Sequence, residues 1–281
     1  MTKPRSYPTA AAFRRALEDR LAMIARTEGT DLQRLRRQVA FDRLLVRLFA
    51  GGSPPWVLKG GYALELKLAL ARTTKDVDLG LFSPQGGPSP AGLLEALQAA
   101  AAKQLEDHFV FTVGEATMEL EGAPYGGSRH PVEANVDGRL FAKFHLDVGC
   151  GDVQREPFER VTARDWLGFA GIPAGEFPSI SREEHFAQKL HAYTMPRGER
   201  ENSRVKDLID MVLLIDAGSM DAARLARDIK DTFARRKSHQ PQALPEAPPA
   251  FWEPVFARLA AECGIDPVSY THLTLPTIYS V

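Results

Sequence analysis

The sequence predicts an α/β core on a mixed sheet, with helices ahead of it and a helical C-terminal domain behind it. Two patterns predict this. Apolar residues recur at helical spacing before Phe49 and again after Ser181. Between them lie short β-like runs, among them WVLK, DVDLGLF and LFAKFHLDV, interrupted by glycine turns and further helical stretches.

In chain order, Phe13, Leu17, Leu21 and Ile24 mark a helix from Thr9 to about Glu28, stopped by Gly29. A second helix runs from about Asp31 to Phe49, carried by Leu35, Val39, Leu45 and Leu48 and broken by GGSPP. WVLKGG reads as a buried strand ending in a glycine turn, YALELKLAL as a helix, and KDVDLGLF as a strand. Ser83 to Pro90 is a loop and Ala91 to Asp107 a helix; Phe109–Leu120, Val132–Val136 and Leu140–Val148 are strands. Trp166 to Pro178 reads as a connection at a domain boundary.

Beyond it, Ser181 with Glu184 matches a capping box for SREEHFAQKLHAYT. RVKDLIDMVLLIDAG, then Asp221 to about Lys237, then Phe251–Glu262 are further helices, with a proline-rich linker from Ser238 to Pro249. The expected organisation is a core at residues 1–165, a helical domain at 179–266 and an anomalous tail at 267–281. That tail is apolar and β-prone, and reads either as an edge strand or as a sequence artefact of translated adaptor.

Composition narrows the function classes. A chain of 281 residues suffices for a sizeable core, and a net charge of -1 gives no global attraction to polyanions. The distribution is uneven. Met1–Ala50 holds eleven Lys/Arg against five Asp/Glu, and Arg224–Lys237 six against two, so both segments are expected to guide RNA. Two distant cysteines, Cys150 and Cys263, argue against a structural zinc site. With no secretory stretch and no long apolar run, they point to a cytoplasmic protein without a membrane span.

The chemistry concentrates in KGGYALELKLALARTTKDVDLGLF, Lys59 to Phe82. Asp76 and Asp78 are two apart in a strand, so they share a face with backbones about 7 Å apart. Paired carboxylates repel unless a cation lies between them, and magnesium favours such hard oxygen ligands together with substrate phosphates. Asp147, isolated in an apolar strand, is the expected third ligand of a two-ion site that drives displacement at phosphorus. Lys59 leads into the Gly60-Gly61 turn, which opens a helix N-terminus to a triphosphate. Arg72, Thr73, Thr74 and Lys75 supply charge and hydroxyls for phosphate oxygens.

GG before a helix, followed by Asp-x-Asp on the next strand, resembles the polymerase-β-like nucleotidyltransferase superfamily. KGGYALELK, RTTKDVDL, QKLHA and RVKDLIDMVLL, in that order from about Arg34 to Gly218, resemble the AbiEii/AbiGii-type toxins and especially their MenT group. The resemblance implies a nucleotidyltransferase-type core and a helical domain. It implies transfer of a nucleoside monophosphate from an NTP to the 3′ acceptor end of tRNA, which blocks aminoacylation and translation, with a cognate antitoxin as partner. Gly60, Gly61, Asp76 and Asp78 match its first signature, Lys189 the QKLHA lysine, and Asp207 and Asp210 the acidic pair of the last block.

The expected assignment follows. Asp76, Asp78 and Asp147 hold metal, two Mg2+ ions with Mn2+ as a substitute. Lys189 steadies the triphosphate, Asp210 orders Lys189 or orients the attacking hydroxyl, and Arg204 and Asp207 join the NTP site. Duller readings stand beside these: a Lys189–Asp210 salt bridge, Asp207 as a cap, Asp147 paired with Lys143 or Arg139, and His145, His185 and His191 as ordinary surface or core residues. Nucleotidyl or phosphoryl transfer to a protein, or a non-catalytic NTP- or RNA-binding module, remain as alternatives.

Overall fold

The computed structural model describes residues 6–51, 54–68, 71–81, 90–120, 123–198, 201–218, 220–242 and 248–265. The anomalous tail and most of the Ser83–Pro90 loop lie outside the described residues.

Two helices open the chain. In α1 (Ala10–Glu28), Phe13, Leu17 and Leu21 face inward, and the Thr9 hydroxyl caps the N-terminus by accepting from the Ala12 N–H. In α2 (Leu32–Leu48), the Asp31 carboxylate does the same for the Arg34 N–H at 2.9 Å. Then come β1 (Trp56–Lys59), α3 (Gly60–Lys67), β2 (Asp76–Leu81), α4 (Pro90–Ala101), β3 (Phe109–Val113), β4 (Met118–Glu119), β5 (Gly127–Val136), β6 (Arg139–Cys150), β7 (Glu159–Thr162) and β8 (Glu176–Ser179). The C-terminal part is helical: α5 (Arg182–Thr194), α6 (Val205–Asp216), α7 (Ala222–Arg236) and α8 (Glu253–Glu262).

The strands form one mixed sheet of eight, in the order β3-β5-β6-β2-β1-β8-β7, with β4 beside β5. β2 runs parallel to β6 and antiparallel to β1. Burial alternates strictly along β3 and through most of β5, as expected of strands with one face on the core. Two apolar clusters divide the interior. One joins α1, α2 and the sheet through residues such as Phe41, Leu44, Val77 and Phe144. The other lies among α5 to α8, through Phe186, Ile209, Phe233 and Phe256, and takes in Leu64 of α3.

Two expectations need correction. The connection from Trp166 to Pro178 contains the start of β8, which joins the sheet against β1 through Leu58 and Ser179. Strand β7 escaped the sequence reading as well. Four-residue strands are too short for a period to register, and a sheet-edge position needs partners that only the tertiary fold supplies. The second correction concerns the basic N-terminal segment. Arg43 and Arg47 are buried on Asp107, Arg36 pairs with Glu18, Arg34 with Glu65, and Arg14 donates to the carbonyls of Val136, Arg139 and Leu140. These five of the segment's eleven basic residues are engaged within the protein, so the segment is not a wholly free cationic face.

The Arg43–Asp107–Arg47 group is the deepest of these contacts. Burial opposes ionisation of Asp107, but hydrogen bonds and charge from Arg47 and Arg43 outweigh it and hold the carboxyl below its usual range. Asp107→Ala leaves two buried guanidiniums uncompensated, so urea denaturation should register a loss of about 3–5 kcal/mol. Asp42 behaves oppositely. Burial pushes it up to about 7, against hydrogen bonds from Tyr62 and Trp166. The folded state holds this proton where the unfolded chain has lost it. The stabilisation is therefore complete below the ordinary carboxyl value of 3.8 and fades as pH rises through about 7. Asp42→Asn should flatten that part of the stability–pH curve in denaturant melts.

Candidate active site

The site is built on a row of charged side chains across four neighbouring strands. Lys59 on β1 pairs in register with Asp78 on β2, Asp78 with Asp147 on β6, and Asp147 with Arg129 on β5. Directly paired residues on neighbouring strands face the same way, so the row reads plus, minus, minus, plus on one face. Asp76, two residues before Asp78, shares that face and pairs in register with His145, whose Nδ1 lies 3.2 Å from the Asp76 carboxylate.

The central carboxylates are electrostatically strained. Burial pushes Asp78 up to about 6 and the neighbouring Asp147 adds to the rise, while Lys189 and Lys59 work against it. Asp147 has a different partner from those the sequence suggested. Arg129 binds it bidentately at 2.8 and 2.7 Å and also reaches Asp76 at 3.5 Å, whereas Lys143 pairs with Glu133. Asp147, the expected third ligand, lies beside Asp78 in the same cleft, with its oxygens engaged by the Arg129 guanidinium. Among the described residues no three His, Cys, Asp or Glu side chains group closely enough to hold a metal ion. Asp76 and Asp78 fit a divalent cation on their own terms, as hard oxygen donors on one strand face with Asp78 destabilised as a bare anion.

Gly60 allows this arrangement. It opens α3 at φ +69°, and a β-carbon there would overlap the Asp78 carboxylate. The backbone turn thus lies directly against the acid, as expected where a chain must approach a ligand closely. Gly61 is less tightly placed: a β-carbon there would lie 3.0 Å from the Thr74 hydroxyl and 3.4 Å from Arg72.

Helices α5 and α6 supply the facing wall. Lys189 on α5 bridges Asp207 and Asp210 of α6, each at 2.8 Å. Burial opposes its charge, yet the two carboxylates more than offset this and raise its pKa, so it remains an ammonium. Asp207 is held below its usual range, burial notwithstanding, by Lys189 and then Arg204. Asp210 is only 1% exposed and is also bound by two donors of Arg72, both at 2.8 Å. Of the two roles expected for Asp210, its contacts fit the ordering of Lys189. Arg72 commits two donors to Asp210, bracing the loop between α3 and β2 against α6, and it also lines the cleft.

A cleft of about 1200 Å³ opens over this floor. Lys59, Gly60, Gly61, Arg72, Thr73, Thr74, Lys75, Asp76, Asp78, Asp147, Lys189, Arg204 and Asp207 all line it, so the sequence-predicted residues converge except for Asp210. Several lining residues escaped the sequence reading as site members, Arg129, Asp152 and Arg37 among them. Arg129 lies on a strand whose register decides its partner. Asp152 ties Lys59 at 2.9 Å to Arg236 of α7, also at 2.9 Å. Arg37 enters from α2. Of these three, only Arg37 lay in an element that the sequence reading had assigned; Arg129 falls before the strand read at Val132, and Asp152 lies in the loop after β6.

A mixed sheet carrying paired acids beneath a cationic cleft defines the nucleotidyltransferase class. The family model described as nucleotidyl transferase AbiEii toxin, type IV TA system, matches residues 43–267. The chain belongs to this family. Its fold is shared with MenT4, the nucleotidyltransferase toxin Rv2826c of Mycobacterium tuberculosis H37Rv, at 18% identity and a TM-score of 0.56, over 89% of this chain and 92% of that one. JHP933 from Helicobacter pylori is also similar, at 15% identity and a TM-score of 0.43, over 82% of this chain and 79% of that one. No curated protein sequence matches.

Gly60→Ala separates strain from collision. Gly29 has a similar φ of +64° but open space around it. Gly29→Ala should cost about 1–2 kcal/mol in a urea melt, the usual penalty for a side chain in the left-handed region. Gly60→Ala should cost measurably more, because Asp78 must also move.

Proposed function

We propose that this protein transfers a nucleoside monophosphate from an NTP to the 3′ acceptor end of tRNA, and thereby blocks aminoacylation and translation. The observation that carries the reading is the pairing of Asp76 and Asp78 beside the Gly60 turn, opposite the clamped ammonium of Lys189. In this reading residues 1–165 are the catalytic core, and residues 179–266 are a helical domain that contributes Lys189. Its MenT4 relative is described as a nucleotidyltransferase toxin, which is consistent with a toxin role held in check by an antitoxin. No helix among the described residues is long and apolar enough to cross a membrane.

The donor NTP lies with its triphosphate along the α3 N-terminus. There the backbone N–H groups of the glycine turn and the side chains of Thr73, Thr74 and Lys75 meet phosphate oxygens. Lys189 neutralises charge on the leaving phosphates, with Asp207 and Asp210 fixing its amine in place. The acceptor 3′-oxygen bonds to the α-phosphorus, the bond to the bridging oxygen of the β-phosphate breaks, and pyrophosphate departs as the hydroxyl proton is released. Asp76 and Asp78 would hold a Mg2+ or Mn2+ ion, which would supply Lewis-acid stabilisation of charge at the reacting phosphate. Arg129 keeps Asp147 compensated, so Asp78 faces one buried anion that is already paired.

Incubation with Mg2+, total tRNA and each α-labelled NTP in turn tests this directly. Label should reach tRNA from at least one NTP and vanish with Asp76→Asn, which removes a ligand charge without removing core packing. Transfer that persists in Asp76→Asn would defeat the assignment, and label on protein rather than RNA would defeat the acceptor. Lys189→Ala should lower transfer by roughly 10²–10³-fold, the usual effect of losing one transition-state donor, and so less than Asp76→Asn. The reverse ranking in the same gel assay would move the centre of the chemistry to α5.

A further inference from the structure

A second concavity of about 520 Å³ adjoins the cleft and shares Arg236 with it. Its rim carries Tyr125, whose side chain is an anomaly for a soluble surface: the residue is 70% exposed, yet held in place. The ring lies on the Gly151 backbone, where a β-carbon would overlap it. The Arg235 guanidinium sits 4.7 Å from the ring centroid and is itself fixed by donating from Nε to the Gly151 carbonyl at 2.8 Å. The backbone N–H of Tyr125 donates to the Cys150 carbonyl at the end of β6, which anchors the loop. An exposed aromatic with its orientation set in advance loses little entropy when something stacks on it.

The surroundings are cationic. Arg155 and Arg236 are engaged by Asp231 and Asp152 respectively. Among the described residues, neither Arg235 nor Lys237 forms an ion pair with a carboxylate, and both line the concavity. A flat π-face beside unpaired positive charge, continuous with a nucleotidyl-transfer cleft, matches an unpaired base and its phosphates rather than an apolar protein surface.

We propose that Tyr125, backed by Arg235, is the stacking platform for an unpaired base near the 3′ end of the acceptor RNA. The adjoining phosphates pass Arg235 and Lys237 on the way to the cleft. This rests on the RNA-acceptor reading and adds to it the residue that grips the single strand.

The test uses full-length protein and a labelled RNA hairpin with a single-stranded 3′ overhang, read by fluorescence anisotropy without NTP or added metal. Tyr125→Ala should weaken binding of the overhang hairpin by about tenfold or more, the range for one lost base–aromatic stack, and Tyr125→Phe should retain it. On a blunt hairpin Tyr125→Ala should bind as the native protein does, because no unpaired base is offered. Unchanged overhang binding by Tyr125→Ala, or equal weakening on both hairpins, would overturn the platform. Equilibrium binding of α,β-methylene nucleoside triphosphates to each variant checks that the cleft is intact. If the native protein binds neither hairpin while label transfers to protein in the gel assay, the RNA-acceptor reading itself falls, and the platform with it.

Discussion

Two carboxylates placed side by side on parallel strands, Asp78 and Asp147, are the constraint around which the rest of the molecule is arranged. In isolation that pair would be a defect, because like charges opposed in a half-buried sheet destabilise it. Here both ends of the row carry cations, Arg129 on β5 and Lys59 on β1, and the facing helices add Lys189. Burial, with Asp147 adding to it, still raises Asp78 to about 6. The Gly60 turn lies directly against this carboxylate.

The same logic links the helical part to the sheet. Lys189, Asp207, Asp210 and Arg72 form one chain of contacts from α5 through α6 to the loop that precedes β2. A second chain runs from Lys59 through Asp152 to Arg236 on α7. Each couples the apolar cluster of the helices to the floor of the cleft through ions rather than through packing alone. Buried ion networks add little net stability but strongly disfavour wrong geometry, since breaking one partner strands the others. The position of Lys189 over the aspartates is thereby specified from two sides.

Charge distribution along the sequence turned out to carry two different meanings. Part of the basic excess of the first fifty residues is engaged inside the protein, with arginines held on Asp107, Glu18, Glu65 and strand-end carbonyls. The basic end of α7 does face the surface, and there it meets an aromatic ring supplied by a distant loop. Counting charges could not tell these apart, because an arginine reads alike whether its partner is solvent, phosphate or a buried acid.

Much of the site was legible because its chemistry is local. Asp76 and Asp78 share a strand face by period alone, Gly60 and Gly61 announce a turn, and the spacing of Asp207 and Asp210 puts them on one helical face. The ordered blocks from KGGYALELK to RVKDLIDMVLL carried the family, and the family carried the fold. What only the tertiary structure decided was pairing between distant segments: Asp147 with Arg129, Arg72 with Asp210, β8 with β1, Tyr125 with Arg235. Periodicity along a chain says which way a side chain points from its own element. It is silent on register between elements, and across a sheet the register alone determines which charge meets which.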